Sequence, residues 1–590
     1  MPEKLDKTQI IDLPEGASIQ YVRDTWYVYF AYSYRIGLKR HQERDYIGKV
    51  IDGRFVPNDY YIDHRPDKKH RPLKNWTNPE KAKIEQRKAE QNEKQAKSTK
   101  EHPKDFAKNE PFDLSAGATA VLMKALYESR MVWDLGNAAL EGNVALTMHC
   151  LNLALHTATT QRPTYLANPQ SHAVKFIGKG CLTSQRASEL YQQVGSIKGL
   201  DVNLGKARCG GVSEGDLLAL DGTRVNCESE NISLAEVGKK KDGTYGKQLN
   251  FSVLFNATTG HCLAYRLYSG NYPDTLTLTD FRNLWTWMGV PDTKATVIVD
   301  RGYYDGEELA NLHGDGIGFI CGAKVSLNAV KDVIHNQNNM FYEASSLLRN
   351  RGCYAVSSQY TVGAGKKKTE LNLFVYRNPV SEMAATDELY DRLERVESEW
   401  LSGNTDALNP DDRCLYDNPT PGLPLVRDEH QITQYCYTLG YFALASNKAI
   451  DAMSCFDAYS YRNEVEIFFK QQKANGMRCA RVQSEAALNG LALTTFVGTA
   501  ATMNILYRMR KPTARNAKGL RNNYTVPELL KKLERVHLVH SPSGEVYLNN
   551  VTSREKQIVA DLGFPGLFDS AEEIDKLLSV KYLAEHLKGH

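Results

Sequence analysis

The sequence predicts an α/β chain of the multidomain, α+β kind, and three observations carry that reading. Its 590 residues amount to roughly three to five domains at about 100 to 200 residues each. After residue 211, short apolar runs separated by turn residues follow in the order strand, strand, strand, helix, strand. Before that point Ala and Leu recur at helical spacing, in AVLMKALYESRMVWDL and again in NVALTMHCLNLALHTA. With 42% hydrophobic and 24% charged residues the composition is that of a soluble globular protein, neither disordered nor fibrous.

Residues 26–35, WYVYFAYSYR, are aromatic and β-branched, and a turn around Gly37 leads to a second run at 44–50, which predicts a β-hairpin. Arg35, Lys39, Arg40, His41 and Arg44 cluster at its turn, a basic tip suited to phosphates and equally to an ordinary solvated hairpin end. From 78 to 100 almost every residue is charged, Gln or Ala, without the apolar stripe that docks a helix, and the stretch reads as a linker. The Ala and Leu pattern over 114–161 predicts two or three packed helices. Strands are expected at 216–220, 249–256, 262–268, 295–299 and 318–324, with a helix over 274–288. The stretch 330–430 holds a strand at 371–376 and an acidic helix at 382–400, and reads as an insertion. A strand at 441–446 and a long helical pattern over 457–507 resume the domain, and a basic connector over 508–521 leads to a mixed tail. The expected organisation is a hairpin unit at 1–60, a linker at 61–110 and a helical domain at 111–210. A sheet domain at 211–330 is then interrupted by an insertion at 331–435, resumes at 436–510 and gives way to a C-terminal region at 511–590.

The net charge of +3, from 73 basic and 70 acidic side chains, argues against a simple polycationic DNA-coating protein. Segment by segment the balance is uneven. Residues 1–110 hold 23 basic and 18 acidic side chains (+5), and 470–540 hold 13 and 3 (+10). Residues 382–429 hold 4 and 13 (−9), which offsets them. Such blocks are most often solvated faces, so they raise a nucleic-acid hypothesis without establishing it. The 11 cysteines are odd in number, scattered and never in a Cys-x-x-Cys pair, which points away from structural zinc and disulfides and towards reduced thiols in a cytoplasmic setting. The first residues lack the apolar core of a signal peptide, and no apolar run approaches the roughly 18 residues a membrane span needs.

Two aspartates stand where apolar strands are expected to end, Asp221 in LLALDGT and Asp300 in TVIVDRGYY. A buried strand holds the backbone there while the carboxylate faces solvent, as a metal ligand or catalytic base requires; taken singly, either is more often a turn or cap former. On the following helical pattern Tyr459, Arg462, Glu466 and Lys473 fall, at about 100° per residue, within an arc of roughly 60°. The bland alternative for this face is a surface ion pair between Arg462 and Glu466 at i, i+4. The glycine-rich 363–369 is not a phosphate-binding loop, because Lys367 follows Lys366 where Ser or Thr is required; it reads as a hairpin turn.

The spacing Tyr459-x2-Arg462-x3-Glu466-x6-Lys473 resembles the tyrosine-arginine-glutamate-lysine signature of the bacterial insertion-sequence DDE transposases, the group that includes insertion sequence family four and its offshoots. Asp221-Gly222-Thr223 resembles the first catalytic block of that family, and Asp300-Arg301-Gly302-Tyr303 its second, an Asp-x-Gly-Tyr motif. The three blocks occur in order across 211–510, with a large insertion before the glutamate; the front hairpin and charged linker resemble one branch more loosely.

The resemblance implies an RNase H-like catalytic domain in which Asp221, Asp300 and Glu466 hold two divalent ions, usually Mg²⁺ with Mn²⁺ able to substitute. Water would cut at the element's end and the freed 3′-hydroxyl would then attack target DNA. By the same carry-over Tyr459, Arg462 and Lys473 would contact double-stranded DNA beside the scissile bond, and Tyr303 would stack on an unpaired base. Arg35, Lys39 and Arg40 would lie on phosphates. The implied partners are terminal inverted repeats and target DNA, bound by a homodimer on paired ends in a bacterial cytoplasm. Two rivals keep the DNA but not the full chemistry: a catalytically inactive transposase-derived regulator, and a nuclease without strand transfer.

Overall fold

A computed structural model gives the fold and describes residues 6–22, 25–36, 39–58, 61, 112–160, 184–227, 229–239, 244–287, 295–365, 368–513 and 519–589. At 32–36, 39–45, 112, 160, 184, 239, 286 and 287 it describes the backbone alone. The chain divides into two units, Met1–His102 and Pro103–His590. The linker expected at 61–110 lies, except for Tyr61, outside the described residues.

In the first unit β1 (Ser18–Val22), β2 (Thr25–Ile36), β3 (Lys39–Ile51) and β4 (Arg54–Pro57) form an antiparallel sheet in that order. Alternation along β2 turns Val28 and Phe30 onto Ile47, Phe55 and Tyr61, a small core. Between the pairs Val28↔Gly48 and Tyr29↔Tyr46 the register shifts by one residue, a bulge that leaves Ile47 unopposed. The expected hairpin is β2 and β3, with Arg35 opposite Arg40 and Ile36 opposite Lys39. The side chains of Arg35, Lys39 and Arg40 lie outside the described portion.

The second unit opens, among the described residues, with β5 (Phe112–Ser115) and the helices α1 (Gly117–Glu128), α2 (Val144–Thr160), α3 (Ser184–Gly195) and α4 (Leu200–Cys209), with a short helical segment at 131–139 between α1 and α2. Then come β6 (Asp216–Asn226), β7 (Glu236–Lys239), β8 (Tyr245–Asn256), β9 (His261–Ser269), α5 (Asp274–Trp287), β10 (Ala295–Val299), α6 (Gly306–Gly314) and β11 (Gly318–Ala323). The sheet built from these strands runs β9-β8-β6-β10-β11, with β7 beside the far end of β8. β6, β10 and β11 are parallel, while β8 runs antiparallel to β6 and β9 to β8. Every residue of β10 and β11 is buried, which is why ATVIV and GFICGA read as unbroken apolar runs rather than alternating ones.

The stretch 331–435, expected as a separate insertion, feeds the same sheet. After α7 (Asn328–Asn336) come β12 (Leu347–Leu348), β13 (Cys353–Val362) and β14 (Thr369–Arg377). β14 pairs with β15 (Tyr441–Ser446), and β15 pairs with β11, so the sheet reaches ten strands. β14 is covered on both faces, Leu373 and Val375 on one and Phe374 and Tyr376 on the other, and leaving these side chains in water would be costly. β13 and β14 pair as an antiparallel hairpin, with Val362 opposite Thr369. Only α8 (Pro379–Leu401), α9 (Glu429–Cys436) and the turns between them build their own small core, around Leu389, Leu393, Leu415 and Ile432.

The helical pattern expected over 457–507 is broken into α10 (Ala452–Ser460), α11 (Asn463–Gln472), a wide turn over Lys473–Met477 and α12 (Glu485–Arg510). α12 is long and apolar enough to cross a membrane, yet 89% of its most apolar window is buried within the fold. Its core positions include Thr494, Thr495, Thr499 and Thr502, whose hydroxyls donate to carbonyls three or four residues back, so no polar group is stranded. α12 shares one core with α1, α2, α3, the back of β8 and β9, and the C-terminal helices. The C-terminal region closes on the front of the unit: β16 (His537–His540) pairs with β5 on one side and with β17 (Val546–Asn549) on the other. A buried ion pair, Arg208 to Asp134 at 3.0 Å, with Arg208 Nε donating to the Cys262 carbonyl at 2.6 Å, ties α4 to β9.

Candidate active site

The parallel pair β6 and β10 sets the site. Leu220 lies opposite Val299, so the next residue on each strand, Asp221 and Asp300, emerges at the same edge of the sheet. β10 ends there. β6 does not, as the apolar run had led one to expect: it continues to Asn226 because its other side stays paired with β8. Asp221 therefore sits in mid-strand, at the point where one of its two neighbours stops.

Each carboxylate is anchored by its own backbone. The Gly222 N–H donates to Asp221 Oδ1 at 2.8 Å, and the Arg301 N–H donates to Asp300 Oδ1 at 2.7 Å, which caps the short turn Arg301–Tyr303. Burial pushes the Asp221 carboxyl up to about 6; the Gly222 N–H and the Arg462 charge act against that, and Asp300 and Asp274 add to it.

Across the break after α10 the backbone stays right-handed helical at Tyr461 and Arg462, and the Arg462 N–H bonds to the Tyr459 carbonyl and the Val465 N–H to the Arg462 carbonyl. Tyr459 and Arg462 thereby both reach Asp300. The Tyr459 hydroxyl donates to Asp300 Oδ1 at 3.1 Å, and Arg462 Nη1 lies 2.8 Å from Asp300 Oδ2. Arg462 Nη2 lies 2.7 Å from Glu466 Oε1, so the i, i+4 ion pair forms as part of a larger bridge. Burial, then the Asp300 charge, raise the Tyr459 phenol, which stays protonated and donates. Lys473 Nζ donates to Thr223 Oγ1 at 2.9 Å, on the same face of β6 as Asp221 and two residues along. The six residues Asp221, Asp300, Tyr459, Arg462, Glu466 and Lys473 are thus brought together.

Close approach depends on Gly322 of β11, where a Cβ would stand 2.7 Å from the Arg301 nitrogen and 2.9 Å from the Tyr459 hydroxyl. Tyr303 is placed otherwise than expected. Its ring is 1% exposed, inside the core between the sheet and α5, so from this position it cannot stack on a base. The reason is packing: the turn after Asp300 folds Tyr303 inward and leaves Tyr304 half-buried, its hydroxyl 3.1 Å from that of Tyr360.

One residue went unseen in the sequence. Asp274 opens α5 and places Oδ2 3.1 Å from where a Gly302 Cβ would be. Its carboxyl is raised by burial, lowered by Arg224 and a hydrogen bond to Asn250, and raised by Asp300. All three of those partners are remote in the chain, so only the β9-to-α5 junction in its sequence could have drawn attention to it.

The chemistry of the donors suits a hard divalent cation, since every candidate ligand is a carboxylate oxygen. Beside Asp221, a Cβ on Gly222 would fall 2.9 Å from Asn250 Oδ1, 3.2 Å from Ser252 Oγ and 3.3 Å from Tyr303 Oη. Those two hydroxyls are buried without hydrogen-bond partners among the described residues, and their approach is too close for any side chain larger than that of glycine. Spacing is another matter. Among the described residues no three His, Cys, Asp or Glu side chains are close enough to share one ion. Glu466 is held at the far side of the Arg462 guanidinium.

No family model matches the chain, and no curated protein matches it. Among solved structures, the piggyBac transposase synaptic complex with hairpin DNA, determined by cryo-EM, is similar over 80% of this chain and 85% of that one, at 12% identity and a TM-score of 0.33. A likeness that slight assigns no function.

Proposed function

We propose that the chain is a DNA transposase of a bacterial insertion sequence, with an RNase H-like catalytic domain that cuts and joins DNA by metal-dependent phosphoryl transfer. The observation that carries this reading is the convergence of Asp221 and Asp300 at one sheet edge, with Arg462 joining Asp300 to Glu466. The sheet order β9-β8-β6-β10-β11, with β8 and β9 antiparallel to their neighbours, is the order expected of an RNase H-like sheet and supports the fold.

On this reading Asp221, Asp300 and Glu466 would hold two Mg²⁺ ions, for which Mn²⁺ can substitute. The chemistry such ions supply is activation of an attacking oxygen and stabilisation of the leaving one. The protein's own residues do the rest. Tyr459 and the Arg301 N–H hold Asp300 Oδ1, while Oδ2 faces the Arg462 guanidinium. Arg462 and Lys473 bring two cations to that edge, where a DNA phosphate would lie. Gly222 lets Asn250, Ser252 and Tyr303 pack closely against β6 next to Asp221. The partners would be terminal repeats and target DNA, bound by a dimer in the cytoplasm.

The test is biochemical. Purified protein with Mg²⁺ and DNA carrying the inverted repeats that flank its gene should nick at the repeat ends and join the freed 3′-hydroxyl to a plasmid. EDTA should stop both steps. Nicking without joining would instead mark a nuclease, and end binding without metal-dependent nicking an inactive regulator.

A further inference from the structure

Arg462 occupies a place that the proposed metal chemistry needs. Both oxygens of Asp300 are already engaged: Oδ1 accepts from the Arg301 N–H at 2.7 Å and from the Tyr459 hydroxyl at 3.1 Å, and Oδ2 faces Arg462 Nη1 at 2.8 Å. The other nitrogen of the same guanidinium holds Glu466 at 2.7 Å, and its charge also acts on Asp221. Of these donors the Arg301 N–H is fixed by the backbone and the Tyr459 hydroxyl is neutral. Arg462 alone is a cation on a long side chain, and it is the group that stands between two of the expected ligands.

We propose that Arg462 is a latch on the carboxylates, closed in the DNA-free protein and opened when a DNA phosphate takes over its guanidinium. This rests on the transposase reading above. A guanidinium presents the same two-nitrogen fork to a carboxylate or to a phosphate, so the exchange replaces like with like. With Arg462 in place, its single positive charge neutralises part of the carboxylate cluster and blocks the approach of Glu466 to Asp300. With Arg462 on phosphate, the carboxylates are left without their counter-charge and attract a divalent cation strongly. The order of events is therefore built into one side chain: DNA first, tight metal second. Such coupling prevents a loaded, water-activating site from forming away from its substrate, and it is reciprocal, so bound metal must also tighten the grip on DNA.

Mn²⁺ titrated into the full-length protein and followed by electron paramagnetic resonance tests this without DNA cleavage. Arg462→Gln should bind Mn²⁺ about tenfold more tightly than the unaltered protein when DNA is absent. A short blunt-ended duplex should tighten Mn²⁺ binding to the unaltered protein by a similar factor and leave Arg462→Gln unmoved. Arg462→Lys, which keeps the charge but loses the fork, should fall between them. Equal or weaker Mn²⁺ affinity in Arg462→Gln would overturn the latch. Adding Asp300→Asn to Arg462→Gln should abolish the tight ion; if it does not, the ion is elsewhere and the underlying active-site reading fails separately. No Mn²⁺ bound by any form would contradict both.

Discussion

Asp221 shows how a single residue records its surroundings. Its carboxyl titrates near 6 rather than at the usual 3.8, chiefly because it is buried. A carboxyl whose folded pKa is raised binds its proton more tightly in the folded state. The stability this provides is present below pH 3.8 and lost as pH rises through about 6. At pH 7.5 the metal-free protein thus carries a strained charge worth on the order of 2 to 3 kcal/mol. Asp221→Asn should therefore raise the urea midpoint of the metal-free protein at pH 7.5 and bring no gain at pH 4; a gain independent of pH would contradict this origin. At the same scale the sequence was informative about chemistry and blind to burial. Asp221, Asp300 and Glu466 were candidates on local patterns, apolar runs closed by an acid and helical spacing, although β6 continues past Asp221. Tyr303 could not be sorted from Tyr304, since which ring turns inward is decided by the core beneath the Asp300 turn. Asp274 was invisible because its partners come from three other segments.

Elements were legible where their patterns are local. β10 and β15 fall where the apolar runs place them, α5 agrees through its last described residue, and β11 differs by a residue at one end. The break between α10 and α11 was not legible, since residues 461–463 contain neither proline nor glycine and a tightened turn leaves no mark on apolar spacing. That the four motif residues still converge follows from the near-continuity of the two helices across this turn. The approach of α10 to the sheet depends in turn on β11. Gly322→Ala would press a methyl group against the Arg301 backbone and the Tyr459 hydroxyl. It should cost about 1 to 3 kcal/mol in denaturant unfolding, as overpacking does, and displace Tyr459 from Asp300. Nicking should then fall more steeply than stability alone explains, and an unaltered nicking rate would show that this contact does not position Asp300.

At the scale of the molecule, one ten-stranded sheet is the wall on which the second unit is built. Its back shares a core with α12 and with helices from both ends of the chain, and its edge presents the carboxylates. The sequence separated this unit into helical, sheet, inserted and C-terminal stretches because each has its own periodicity. It had no means of showing that β5 pairs with β16, more than 400 residues later, or that β13 and β14 extend the sheet, since strand partners across such distances leave no local trace. The charge count was likewise a sum over opposed blocks: the acidic stretch lies largely on α8 and α9 and their turns, with a core of their own. In the proposed function Asp221, Asp300 and Glu466 act as one metal-dependent site. Single-turnover nicking of repeat-end DNA by Asp221→Asn, Asp300→Asn and Glu466→Gln tests it most directly. Each isosteric change should slow nicking about 10³-fold, the equivalent of several kcal/mol of lost charge stabilisation, while DNA binding is retained. Nicking at near the unaltered rate by any one of the three would contradict it.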